Sequence, residues 1–259
     1  MHDVGERTGH NHVAGPMIVA AVLGFLLVAC GGSGSATPGS TGTADGTQRD
    51  FVKVLVTRAT VLGDLDTVET AIDAITQADE AVLAGNADTA SGLIRTAAKQ
   101  VTLAAPIAAR ARSDVVSYQN ALTAFDENSQ RPKAGLDADE RARIATMCTH
   151  GRAEAVAIRT TAAAYSGEWT AYSGLASALG TWNDRNTHGD YSSPAAALTA
   201  YNMLVESLRT DLAAGKQAVS DAEVPRLKAT TDTATSIVDV RAGISVLATV
   251  QPPSPSSSA

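Results

Sequence analysis

The sequence predicts an all-α fold, an elongated up-and-down antiparallel bundle of four to five long helices. Apolar residues recur at seven-residue spacing in nearly every segment between residues 48 and 250. Aromatics make up only 4% of the 259-residue chain while alanine is abundant, a composition that favours close helix packing over a sheet. Glycine and proline gather at a few points, where the breaks between helices are expected.

The first helix carries Val54, Val61, Val68, Ile75 and Val82 on one stripe, with Leu65 and Ile72 beside it, and Gly85-Asn86 ends it in a tight turn. The second holds two registers at once. Ile94, Val101, Ala108, Val115 and Leu122 form one, and Ala97, Ala104, Ala111, Tyr118 and Phe125 the other. These are coiled-coil-like a and d positions. Pro106 falls on the outer face of this helix, which predicts a kink and not a stop.

Asn128 to Gly135 reads as a loop, after which Asp137 is a candidate N-cap with Asp139 and Glu140 in the positive first turn. The third helix then places Ile144, Gly151, Ile158, Tyr165, Tyr172 and Leu179 at sevens, with Cys148, Ala155, Ala162, Trp169 and Ala176 as a second line. Its expected length is about 65 Å. The next break spans Asn183 to Ser193, and Ser193-Pro194 supplies a capping hydroxyl followed by a first-turn proline. Beyond it, Leu198, Val205, Leu212 and Val219 share a stripe with Tyr201 and Leu208. The chain either turns back or kinks near Pro225, and Ile237, Val240, Ile244 and Leu247 form the last apolar face. Short connections make neighbouring helices antiparallel.

Charge supports the first hairpin. Between Arg58 and Arg95 every charge is acidic (Asp64, Asp66, Glu69, Asp73, Asp79, Glu80 and Asp88), and between Asp88 and Asp114 every charge is basic (Arg95, Lys99, Arg110 and Arg112). A fold about Gly85-Asn86 sets Asp73 level with Lys99 and Glu80 within a turn of Arg95. Exposed pairs of this kind are worth under ~1 kcal/mol each. The sharper alternative is an acidic face for a basic partner or a divalent ion.

Little in the chain suggests catalysis. No HExxH, GxSxG, CxxC, P-loop or dinucleotide fingerprint occurs. Cys148 and His150 lie two residues apart, so on a helix their side chains diverge and make no nucleophile–base pair. Cys148 falls on the apolar seam as a small core residue. Asp184 to Asp190 spaces oxygens like half of a calcium-binding EF-hand loop, but Ala195 occupies the position that needs a bidentate glutamate. An ordinary turn fits these residues better. No metal or cofactor is implied.

The aromatics are uneven. Tyr165, Trp169, Tyr172, Trp182, Tyr191 and Tyr201 gather around the third and fourth helices. Antiparallel docking predicts Trp169 near Arg95, Tyr165 near Lys99 and Tyr201 near Leu175. Tyr165, Trp169, Tyr172 and Tyr201 with Arg95 and Lys99 therefore form a candidate site for an amphipathic or anionic small molecule. Simple packing of the same rings is the competing expectation.

The N-terminal segment bears on location. Met17 to Leu27 is an uncharged apolar run of eleven residues, shorter than the ~20 a membrane-spanning helix needs. It leads into Leu27-Val28-Ala29-Cys30 and then the stretch GGSGSATPGSTGTADGT. This arrangement resembles the signal peptide and lipobox of bacterial lipoproteins. The resemblance covers residues 1–31 and departs from the pattern in carrying Asp3 and Glu6 against Arg7. It implies cleavage before Cys30, acylation of the Cys30 sulfur and attachment to the membrane on its extracytoplasmic face.

Four regions follow: a signal peptide at 1–29, a lipidated cysteine and flexible tether at 30–47, a bundle domain at 48–250 and a proline- and serine-rich disordered tail at 251–259. The tether would reach roughly 20–25 Å as a coil. With Cys30 acylated, Cys148 has no partner for a disulfide. The formal charge of −7 becomes −6 when residues 1–29 are removed, which argues against a nucleic-acid partner. The sequence thus points to a membrane-anchored lipoprotein without catalysis that binds another cell-envelope component. The alternative is a small-ligand-binding or sensor-like bundle with an aromatic-lined cavity.

Overall fold

The computed structural model describes residues 41–250 of the chain. The expected signal peptide, Cys30 and the tail lie outside the described residues. Within them the fold is all-α. Helices α1 (Thr41–Leu83), α2 (Ala87–Ser129), α3 (Ala138–Thr187), α4 (Pro194–Val205) and α5 (Arg209–Gly243) build a helical bundle of four arms. α4 and α5 together form the fourth arm.

The breaks follow local chemistry. Leaving α1, the Gly85 N–H bonds to the Val82 carbonyl and the Asn86 N–H to the Ala81 carbonyl, a Schellman closure. It holds Gly85 at φ +74°, a conformation glycine adopts without a Cβ clash. Asp137 caps α3 in a full capping box. Its carboxylate accepts from the Glu140 N–H at 2.8 Å, while its own N–H donates to Glu140 Oε2 at 2.9 Å. The Ser193 hydroxyl accepts from the Ala196 N–H with Pro194 in the first turn of α4.

Several boundaries differ from expectation. α1 begins at Thr41, inside the stretch expected to be tether. Thr47 is buried one turn ahead of Phe51 on the same face, so the core-facing stripe already includes it and the helix propagates outward from there. α3 continues to Thr187, past the break expected at Asn183, giving 50 residues and a length of about 75 Å. The fourth arm is interrupted by a single 3₁₀ turn over Glu206–Leu208, and the chain does not turn back at Pro225, which lies inside α5. α5 ends at Gly243, and Ile244, Leu247 and Val250 are buried from the turns beyond it.

Side-chain contacts fix the registers. Phe51 packs on Phe125 with ring centroids 5.5 Å apart, and Asn128 donates to Asp50 at 2.7 Å, so α1 and α2 are antiparallel. α1 and α3 run parallel, with Arg58 on Glu154, Glu69 beside Tyr165 and Thr76 beside Tyr172, all at one sequence offset. The fourth arm runs antiparallel along the whole of α3. Trp182 meets Ala197, Gly174 faces Leu208, Glu168 faces Gly215, Thr161 meets Ala222 and His150 meets Ser236.

α3 is the central helix. Besides the two apolar lines read from sequence, a third line at seven-residue spacing is buried: Met147, Glu154, Thr161, Glu168, Leu175 and Trp182. A helix packed on several sides buries more of its circumference than a surface helix does. In this one, the third line carries two carboxylates into the bundle.

Candidate functional site

The polar chemistry of the bundle is concentrated on that third line. Glu154 is fully buried, and Arg58 from α1 closes on it with Nε 2.8 Å from Oε2 and Nη2 2.7 Å from Oε1. Tyr118 from α2 donates its hydroxyl to Glu154 Oε2 at 2.8 Å, and Arg58 Nη2 also donates to the Thr230 carbonyl of α5 at 3.1 Å. All four arms thus meet at one ion pair. Burial costs the guanidinium some of its charge preference, yet hydrogen bonding and attraction from Glu154 hold its pKa above the ordinary value. Gly151 makes the arrangement possible. A Cβ there would stand 2.7 Å from a Leu122 methyl and 3.1 Å from the Tyr118 hydroxyl.

About four turns further along α3, Glu168 is 4% exposed. Burial pushes its pKa up to about 7, against weaker opposing effects from the Tyr172 hydroxyl and the Lys216 ammonium. Around it Tyr165 lies among Glu69, Glu223 and Arg226, with its hydroxyl 3.5 Å from Glu223 Oε1. Arg226 is bound to Glu223 on its own helix through Nε at 2.9 Å and Nη2 at 2.5 Å. Burial, then the nearby carboxylates, raise the Tyr165 pKa well above the ordinary phenol value.

A third polar group joins α1 to α2. Asp64 is 4% exposed and accepts from Arg110 Nη2 at 2.9 Å, while Arg110 Nε lies 3.4 Å from Asp114 Oδ2. Burial and then the Asp114 carboxyl push the Asp64 pKa up, against the Arg110 hydrogen bond. This is the ion pair that joins the first hairpin among the described residues. Neither Asp73–Lys99 nor Glu80–Arg95 closes into one. For Asp73–Lys99 the reason is register, since the Phe51–Phe125 and Asp64–Arg110 contacts displace the helices by a few residues from a fold centred on Gly85-Asn86. Arg95 instead donates Nε to the Ser91 carbonyl of its own helix.

The candidate site residues are only partly brought together. Tyr165, Tyr172 and Tyr201 are buried and Trp169 is half-buried against the core. Arg95 and Lys99 are exposed, and Arg95 Nε donates to the Ser91 carbonyl of its own helix. The expected proximity of Trp169 to Arg95 and of Tyr165 to Lys99 is corrected by the register of α2 on α3. Ser91 is level with Asn183, bonded Oγ to Oδ1 at 2.5 Å, which places the residues opposite Arg95 more than two turns beyond Trp169. The charged neighbours of Tyr165 and Tyr172 are therefore chiefly carboxylates, Glu69, Glu168, Glu223 and Asp73, with Arg226 as the cation. Tyr201 donates to Asp79, and its ring meets Trp182 edge-on at 6.0 Å. The Trp182 indole in turn donates to the Ala197 carbonyl at 3.0 Å.

Cys148 is buried, with Sγ 3.7 Å from the Leu122 carbonyl, and burial raises its pKa to about 12. His150 faces α5, where Nδ1 lies 2.6 Å from the Ser236 hydroxyl. That hydroxyl donates to the Asp232 carbonyl, so His150 is the donor to it. The thiol and imidazole thus serve different interfaces. Over Asp184 to Asp190 the chain makes a Schellman turn, with Gly189 bonded to the Asn186 carbonyl and Asp190 to the Arg185 carbonyl. Among the described residues no group of three or more histidines, cysteines and carboxylates is arranged to hold a metal.

Apolar periodicity passes over Glu154 and Glu168. The signal that marks them is the spacing that runs from Met147 through Leu175 to Trp182 with polar residues between. Comparison with known proteins adds no relative: no family model, curated protein or solved structure matches the chain.

Proposed function

We propose that this protein is a lipid-anchored component of a bacterial cell envelope, whose helical bundle binds another envelope component without catalysing a reaction. The observation that carries the reading is Leu27-Val28-Ala29-Cys30 between an eleven-residue apolar run and a glycine- and serine-rich stretch. No helix among the described residues is long and apolar enough to cross a membrane, so attachment on this reading falls to acyl chains on Cys30. Two or more chains hold a protein stably at a bilayer, where one holds it marginally.

The internal pairing of Tyr201, Trp182 and Tyr165 favours a macromolecular partner on the outer surface over a small molecule among the rings. The test is fractionation and crosslinking of the full chain. The parent protein should travel with membranes, and Cys30→Ser should leave them or persist as a precursor of unchanged length. Crosslinking on intact cells should then yield a defined envelope protein with the parent and lose it with Cys30→Ser. A Cys30→Ser protein that fractionates and migrates like the parent would overturn the anchor.

A further inference from the structure

Residues 206–221 are the least anchored part of the fourth arm. No side chain in this stretch is fully buried, and Leu208, Leu212, Gly215 and Val219 form the single half-buried stripe that faces the bundle. On either side the arm is held firmly, by Ala197, Tyr201 and Val205 before it and by Ala222, Thr233, Ser236, Ile237 and Val240 after it. The side-chain hydrogen bonds of the stretch, Arg209 to Asn202 and Gln217 to Asp221, stay within the arm itself. The 3₁₀ turn at Glu206–Leu208 interrupts the helix at one end of it. A segment with so little burial opens at lower free energy than the elements beside it.

What lies under this stretch is Glu168. Gly215 passes so close that a Cβ there would stand 2.9 Å from the Glu168 carboxyl carbon. The carboxyl is thus roofed by backbone at the middle of the loosest stretch of the arm. We propose that Glu168 is a proton-operated latch for residues 206–221: as a neutral acid it lets Gly215 close over it, and as a carboxylate it draws in water and releases the stretch from α3.

The groups that face the latch come from three helices. Tyr172 on α3 and Lys216 on α5 are its direct electrostatic neighbours, and both favour the carboxylate. Asp73 on α1 acts on Tyr172, and Glu69 on α1 with Glu223 and Arg226 on α5 act on Tyr165 one turn away. Burial outweighs the two favourable neighbours, so the closed state takes up its proton at about pH 7 while a solvated glutamate does so at about 4.5. A group whose pKa is raised on closing stabilises the closed state fully below the solvated value. That stabilisation falls as pH rises, until the closed-state value is passed. Each pH unit in this window changes the closing equilibrium about tenfold. The latch is closed in acid and loosened at and above neutrality, by a proton alone. It is a property of the bundle and is independent of whether Cys30 is acylated.

Hydrogen exchange of the full chain between about pH 5 and pH 8, corrected for the intrinsic rate, tests this. Protection of residues 206–221 should fall more than tenfold as the pH rises, while that of residues 144–158 should hold. Glu168→Gln, which keeps the shape without the charge, should make the protection of 206–221 independent of pH. Lys216→Gln, an exposed change, should move the midpoint to higher pH by removing a cation that favours ionisation. Protection of 206–221 that is flat with pH in the parent would overturn the latch. So would an unaltered fall in Glu168→Gln, or, should that variant not fold, an unmoved midpoint in Lys216→Gln.

Discussion

Arg58 and Glu154 stand at one sequence offset on two parallel helices and meet inside the bundle through both Nε and Nη2, at 2.8 and 2.7 Å. The Glu154 side chain is fully buried and that of Arg58 is 16% exposed. Removing either partner leaves the other charge without compensation in an apolar interior. Glu154→Ala or Arg58→Ala should each cost about 3–5 kcal/mol in thermal or denaturant unfolding. The double change Arg58→Met with Glu154→Leu should cost much less than the sum, because no charge is then left behind. Additive losses would mean that the ion pair does not couple the arms.

Gly151 and Gly167 lie on the same helix in opposite circumstances. A Cβ at Gly151 meets Leu122 and the Tyr118 hydroxyl, while at Gly167 it meets nothing within 4 Å. Gly151→Ala should therefore destabilise by about 1–3 kcal/mol, through displacement of the Tyr118–Glu154 contact. Gly167→Ala should stabilise by up to about 1 kcal/mol, through helix propensity alone. Equal effects of the two substitutions in a melting series would place the close approach of α2 elsewhere.

These two positions also mark what local sequence reveals. Gly85-Asn86, the Asp137 capping box and Ser193-Pro194 are legible because each signal acts within five residues of itself. The apolar lines of α1 and α2 are legible because helix period is a property of one segment. Interhelix register is not, and the placement of Trp169 near Arg95 failed on it. It depends on how far α2 and α3 run before they turn, and on contacts such as Ser91 with Asn183. The partner of Glu154 lies on another helix, so a buried glutamate reads in sequence as an exposed one. The 3₁₀ interruption at Glu206–Leu208 has no breaker residue, whereas Pro225 looks like a break and sits exposed within α5. Leu208 reaches the space over Gly174 from that interruption, a packing demand that no local signal reports.

Cys148 provides a direct probe of the α2–α3 interface. Its side chain is buried against Leu122, and its pKa is raised to about 12, so the reactive thiolate is scarce and inaccessible near neutral pH. A water-soluble thiol reagent should label it at least a hundredfold more slowly in the folded protein than after denaturation. Labelling at a denatured-like rate under native conditions would place α3 in a different rotation. Cys148→Ala should fold normally at a cost of about 1 kcal/mol, since only a small buried group is removed.

Alkali should unfold this protein through its tyrosines. Tyr118, Tyr165 and Tyr201 are buried, and burial first, then neighbouring carboxylates, raise all three well above the ordinary phenol pKa. In the unfolded chain these phenols ionise near pH 10, whereas in the folded bundle they keep their protons. The folded state thus binds more protons, and its stability is complete below about pH 10 and is lost as pH rises beyond it. Tyrosinate absorbance and helical ellipticity should then change together in one transition above pH 10, with the exposed surface making little contribution to it. Tyr165→Phe removes one of the three groups while leaving the buried ring, and its only side-chain hydrogen bond is a long one to Glu223 at 3.5 Å. It should shift that transition to higher pH with little change in stability at neutrality. Tyr118→Phe differs, because its hydroxyl is a short donor to Glu154, and it should lose about 1–3 kcal/mol at neutral pH by leaving that carboxylate one partner short. Tyrosine ionisation complete well before any loss of helix would show the rings to be open to solvent, and the packing around α3 would have to be redrawn.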